Sequence, residues 1–146
     1  MNKPERAPRI TLEAFARLCA EELPFLRAFG FVVDEIGHGT ARAHMPDTGT
    51  MLRPGGTISG PAQMALADFV MYAAVLGAVG EVPLAVTTQL SINFLQRPTG
   101  QLTAECRLLK VGKRLAVGEV SLLDETGSLV SHVTATYSIP PERKET

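Results

Sequence analysis

Three stretches of this 146-residue sequence predict an α+β fold in which an antiparallel sheet of five to six strands wraps one long central helix, with a further helix near the N-terminus. Residues 62–79 are apolar nearly all round, a pattern a helix tolerates only when other elements cover most of its sides. From Leu84 to Phe94 the period falls to two: Leu84, Val86, Thr88, Leu90, Ile92 and Phe94 alternate with Ala85, Thr87, Gln89, Ser91 and Asn93, as in a long strand with one covered face. Three more strand-like runs, 101–110, 114–124 and 128–139, are separated by Gly112 and Gly127 at tight turns and read as an antiparallel meander.

Taken from the start of the chain, Leu12, Phe15, Ala16, Leu18, Cys19 and Leu23 recur at helical spacing between Thr11 and Leu26, with Thr11 placed as N-cap. Two short strands, 31–36 and 40–45, meet at the Gly37-His38-Gly39 turn. A polar, glycine-rich loop then runs from Pro46 to Thr57 and leads into the apolar helix. Gly60 is its expected N-cap and Pro61 its first helical residue, where a fixed φ and a missing N–H do no harm; Ser59 is the neighbouring alternative cap. No repeat or interior linker divides the chain, so 1–146 is read as a single domain with flexible tails at 1–9 and 140–146.

Composition narrows the function classes. Hydrophobic residues make up 45%, charged residues 20%, and the formal net charge is −1, which gives no electrostatic case for nucleic acid or an anionic membrane. The charged, proline-bearing N-terminus has no apolar core of the kind a signal peptide needs, and the expected compartment is the cytoplasm. The apolar stretch 58–79 carries Asp68, Pro61 and Gln63 and lacks flanking cations, so it reads as a buried helix and no membrane partner is expected. Cys19 and Cys106 read as buried, reduced thiols. His38, His44 and His132 are scattered without metal-ligand spacing, so no metal is expected.

Several catalytic signatures come close and fail. Gly55 to Gly60 has P-loop spacing, but Pro61 stands where the phosphate-binding lysine belongs. The stretch around Ser59 has its first glycine one place too early for a nucleophile elbow. Asp68 remains. One turn away on either side lie Met64, Ala65, Met71 and Tyr72, none of them a cation, so this carboxylate has no partner on its own helix. Upstream, a helix start preceded by glycines offers unpaired N–H groups to an oxyanion. A carboxylate on the helix and an anion site at its start are what acyl transfer requires.

Residues 53–139 resemble the hotdog-fold acyl-CoA thioesterases, in the branch of the phenylacetyl-CoA and 4-hydroxybenzoyl-CoA thioesterases. The family places Asn or Gln, then Gly, then His-Gly-Gly, and an Asp or Glu nine residues after the His. Here Asp68 takes the acidic place, Gly60 the glycine whose N–H polarises the thioester carbonyl, and Gly56 the earlier glycine. Ser59 stands in place of the His, Pro61 in place of the second glycine and Arg53 at the Asn/Gln position. The stretch LAVTTQLSINFLQRPTG resembles the family's long central strand, with Thr87 or Thr88 near a hydroxyl that orients the attacking water, and the last three strands resemble its closing strands. The resemblance implies hydrolysis of an acyl-CoA by Asp68, as base or nucleophile, at sites shared between subunits of a homo-oligomer: a dimer, or a dimer of dimers forming a homotetramer. Arg53, Gly56, Ser59 and Met64 are the further substrate contacts, and Lys110, Lys113 and Arg114 the candidates for CoA phosphates. Coenzyme A enters only as part of the substrate, and no other cofactor is expected. The alternatives are a non-catalytic acyl-CoA-binding hotdog protein and a hotdog enoyl-CoA hydratase or dehydratase.

Overall fold

The computed structural model describes residues 6–141. Most of the two expected tails, 1–5 and 142–146, lies outside the described residues. Within them the N-terminal tail is not free: Arg9 donates its N–H to Gly77 O at 2.8 Å.

Helix α1 (Leu12–Glu22) starts at the predicted cap, with Thr11 Oγ1 accepting from the Ala14 N–H at 3.0 Å. It ends four residues earlier than its hydrophobic spacing suggests. Pro24 disfavours helical geometry at the residue before it, so Leu23 turns out to φ −127° and Pro24–Ala28 closes as a 3-10 segment. Strands β1 (Val32–Ile36) and β2 (Thr40–Met45) form the expected hairpin. The loop at 46–57 is more structured than its composition indicates. It holds a small ladder of β3 (Leu52–Arg53) and β4 (Thr57–Ile58), turned by Gly55 and Gly56 at φ +96° and +78°, where a side chain would be strained.

Helix α2 (Gly60–Val79) is followed by β5 (Val86–Phe94), β6 (Leu102–Val111), β7 (Leu115–Leu123) and β8 (Leu129–Ser138). The six long strands form one antiparallel sheet in the order β1-β2-β6-β7-β8-β5, and α2 packs across it, the hotdog arrangement the sequence predicted. By length and composition α2 could cross a bilayer, yet 78% of its apolar window is buried, as a core helix is. Glycines on both the sheet and the helix let it approach. A Cβ on Gly118 would sit 2.9 Å from Met71 Sδ, and one on Gly77 only 2.2 Å from Gly37 O. The cap of α2 is Ser59, not Gly60: its hydroxyl accepts from the Ala62 N–H at 3.3 Å, an acceptor glycine lacks. Gly60 and Pro61 therefore open the helix.

Two features of this frame set up the site. First, α2 is left uncovered along Pro61, Met64, Ala65 and Asp68, positions that line up at i, i+3, i+4 and i+7. Second, β5 lies at a sheet edge, bonded only to β8 among the described residues, and its register slips between Thr87 and Gln89. A one-residue bulge swaps the faces of everything before it. Thr87 and Ala85 consequently turn inward, with Leu84 and Val86 outward at 70% and 57% exposure, while Leu90 and Ile92 pack on the core. The single alternating face expected for 84–94 is thus two half-faces.

Candidate functional site

Asp68 projects from the third turn of α2, half-buried at the margin of the bare stripe, flanked by the buried Ala67 and Phe69. Two hydroxyls are aimed at one of its oxygens. Thr87, turned inward by the bulge, donates its Oγ1–H to Asp68 Oδ1. Tyr137, in the inward series Val133, Ala135, Tyr137 of β8, shares its single proton between Asp68 Oδ1 at 2.8 Å and Asp68 O at 3.1 Å. Burial, then the adjacent Asp68 charge, pushes the Tyr137 phenol far above its ordinary pKa, so it stays a donor. Its ring stacks on Tyr72, whose own phenol is pushed up to about 12, chiefly by burial, and donates to Pro83 O at 3.0 Å.

With both donors on Oδ1, Asp68 Oδ2 has no protein partner among the described residues, and no cation pairs with the carboxylate there. The group is thus oriented but not neutralised. It faces a cavity of about 180 Å³, walled by Leu23, Phe25, Ala65, Phe69 and Ala85 among others. An oriented carboxylate with one free oxygen in an apolar pocket can take a proton from water or attack an electrophilic carbon.

The start of α2 borders a different cavity, of about 420 Å³, lined by Arg53, Gly60, Gln63, Phe94 and Arg97. As the first helical residue, Gly60 has an N–H with no intrahelical acceptor, and the positive end of the helix dipole reinforces it. Phe94 closes over it: a Cβ at Gly60 would lie 3.1 Å from Phe94 Cζ. Gln63, buried, donates its Nε2–H to Ile58 O at 3.2 Å and fixes the helix start to β4. Eight residues of helix separate Gly60 from Asp68, about 12 Å of rise. Their cavities share no lining residue. Within one protomer the Asp68 carboxylate and the helix-start N–H face separate cavities.

The other expected contacts fall into place or out of it. Of the two threonine candidates the bulge brings Thr87 to Asp68; Thr88 points to the opposite side and donates to Thr136 O at 3.2 Å. Ser59 is occupied as cap. Gly56 donates its N–H to Arg53 O at 3.0 Å and closes the β3–β4 turn. Met64 lines neither cavity; it lies on the bare stripe of α2, 39% exposed. Lys110, Lys113 and Arg114 are exposed at the β6–β7 hairpin and line neither cavity. The cations that do border the Gly60 cavity are Arg53 and Arg97. Sequence reading missed Arg97 and, more consequentially, Tyr137. The signal for the latter was a tyrosine in the inward register of an otherwise apolar strand, a buried hydroxyl that needs an acceptor.

Both cysteines are free. Burial pushes Cys106 up to about 12, and its Sγ lies 3.6 Å from Met71 Sδ; Cys19, half-buried, is pushed up to about 11. No group of His, Cys, Asp and Glu side chains able to hold a metal ion occurs among the described residues.

Residues 55–131 match the sequence profile of the Thioesterase superfamily. A Thermoplasma acidophilum protein named "Putative esterase Ta0293" is 31% identical over 117 residues, 79% of this chain and 87% of that protein. A solved structure from Silicibacter sp. TM1040, named "putative thioesterase", is 36% identical and superimposes with a TM-score of 0.83, covering 94% of this chain and 97% of that one. Thioesterase HI1161 from Haemophilus influenzae shares the fold at 21% identity, with a TM-score of 0.83 and coverage of 96% and 99%.

Proposed function

This chain belongs to the thioesterase superfamily and is a thioester hydrolase, and on that premise we propose that it cleaves acyl-CoA at two sites formed by a homodimer, with Asp68 as the attacking or base group. The observation that carries this reading is the Asp68 carboxylate itself: held on Oδ1 by Thr87 and Tyr137, free at Oδ2, unneutralised, and facing an apolar cavity.

Pairing of two β5 edges brings the separated halves together. Within the protomer the Thr87 end of β5 lies by Asp68, and the Phe94 end lies over Gly60. Joining two copies antiparallel about a two-fold axis at Ser91 sets the Thr87–Thr88 bulge across from Phe94 of the partner subunit. Asp68 is thereby brought toward Gly60 of the partner subunit. The same pairing covers the exposed edge and the bare stripe of α2, two surfaces a lone protomer leaves unmatched.

A thioester then sits with its carbonyl oxygen at the partner subunit's Gly60 N–H and its carbonyl carbon before Asp68 Oδ2. Oδ2 either takes a proton from water as that water attacks, or attacks directly to give a mixed anhydride that water then opens. In both routes the C–S bond breaks and the thiolate leaves without a strong general acid. The CoA arm runs through the Gly60 cavity, whose Arg53 and Arg97 are better placed for its phosphates than the hairpin cations. We expect Asp68→Asn to abolish release of CoA thiol while leaving the oligomer unchanged in sedimentation. Thiol release at the wild-type rate would overturn the assignment.

A further inference from the structure

Behind the Asp68 cavity lies a second, larger one of about 320 Å³, which the reaction as described above does not use. The two have Leu23, Leu26 and Phe69 as common wall. The far chamber is bounded by α1, the 3-10 segment and β1, with Phe15, Cys19, Phe31 and Val33 on its sides. Its polar groups are few: the Cys19 thiol, which burial keeps protonated, and Arg27, whose Nη2 donates outward to Ala20 O at 3.3 Å. Its lining is otherwise apolar, so a hydrocarbon chain gains by being buried against it. Its wall is also its weakest part. None of the residues of the 3-10 segment Pro24–Ala28 is buried and its start has no side-chain cap, so Leu26 can yield at small cost. Phe69, by contrast, is clamped between Phe15 and Phe31, at ring-centroid distances of 5.7 and 5.4 Å, and fixes the far side of the opening.

We propose that the chamber beneath α1 is an acyl-tail subsite: the substrate is a straight-chain acyl thioester of medium length, whose carbonyl stops at Asp68 while its tail passes between Leu26 and Phe69. The near cavity, about 180 Å³, takes the first carbons of any acyl group; only a flexible chain can bend past Phe69 into the remaining space. A rigid aryl group such as phenylacetyl stays in the near cavity and gains nothing from the far one. This inference rests on the thioesterase reading above and adds which acyl group the site selects.

The test uses the full chain, with butyryl-, decanoyl- and phenylacetyl-CoA compared by thiol release. Wild-type protein is expected to favour decanoyl over both others by at least tenfold in kcat/KM. Cys19→Phe, which fills the chamber from α1 without touching the Asp68 cavity, should shrink the decanoyl-to-butyryl ratio at least tenfold. Titration of Asp68→Asn protein with decanoyl- and butyryl-CoA reads the same preference as binding, independently of turnover and of how well the Cys19 variant folds. Equal rates and equal affinities for decanoyl and butyryl would overturn the tail subsite while leaving the hydrolase reading intact. Failure of all three thioesters to release thiol or to bind would remove both.

Discussion

The two ends of helix α2 make opposite use of the same apolar scaffold. At the Asp68 end everything needed to hold one carboxylate comes from a single chain: a threonine turned in by a bulge, a tyrosine from β8 and a pocket of closed side chains. At the Gly60 end the protomer offers an N–H, a glycine packed under Phe94 and two arginines around a wide cavity, but no carboxylate among the lining residues. One end is finished and lacks an electrophile's cradle; the other is a cradle without a nucleophile. The difference teaches why the proposed dimer matters: on that reading the functional unit is larger than the folding unit, and β5 is the surface along which the two ends are joined.

The largest effect should come from keeping the two ends apart. Met64 lies on the bare stripe between them, so Met64→Glu would bury an unpaired carboxylate at a β5-mediated interface, at a cost of several kcal/mol. That weakens self-association by roughly a hundredfold or more. The expected outcome is a folded monomer in sedimentation velocity that releases no thiol. A monomer with full activity would show that Asp68 and Gly60 need not come from different chains.

Next comes the finished end. Tyr137→Phe removes the proton shared by Asp68 Oδ1 and O, a bond to a charged acceptor worth about 1.5–3 kcal/mol. We expect kcat to fall roughly ten- to a hundredfold by the same arithmetic, with KM changing less, since the phenol's proton is held by Asp68. Because burial and the Asp68 charge raise the Tyr137 pKa, the phenol remains protonated over the whole assay range. Any alkaline limb in the wild-type pH profile should therefore persist unshifted in Tyr137→Phe. A limb that vanishes in this variant would make Tyr137 a titrating participant in place of a fixed donor.

Thr87→Val and Thr88→Val probe the bulge itself. The first deletes the other donor to Oδ1 and should cost about tenfold in kcat; the second loses only an exposed bond to Thr136 O, about 0.5–1 kcal/mol of stability and no activity. Equal losses from the pair would mean that the strand is in the other register.

How much of this was readable beforehand follows the range of the interactions. The apolar helix, the meander and the isolation of Asp68 are set by local composition and period, and they appear where the sequence puts them. The 3-10 break after α1 was also local, written in Pro24, but the hydrophobic spacing of Leu23 and Leu26 masked it. The choice of Thr87 over Thr88 was not available, because a bulge depends on how β8 pairs with β5, sixty-nine residues of chain separating Tyr137 from Asp68 in the same contact. Likewise Lys110, Lys113 and Arg114 are grouped by sequence itself, whereas the place of Arg97 beside the Gly60 cavity depends on the fold. Type and periodicity revealed the elements; the donors that aim the carboxylate are long-range and needed coordinates.

The smallest expected effect separates scaffolding from substrate contact at the Gly60 end. Ser59 occupies the position where the resemblance places a histidine, yet its hydroxyl accepts from the Ala62 N–H and so serves the helix. Ser59→Ala should then cost about 1 kcal/mol as a lost N-cap. For a chain of this length that lowers the melting temperature by about 3 °C. Gly60 keeps its place as first helical residue because Pro61 and the Gln63 bond to Ile58 O still define the start of α2. Thiol release should therefore change by no more than about threefold, in keeping with a loss under 1 kcal/mol at the transition state. A hundredfold fall in kcat with an unchanged melting temperature would instead make Ser59 a contact of the reacting thioester, and the Gly60 end would then hold a second polar group aimed at substrate.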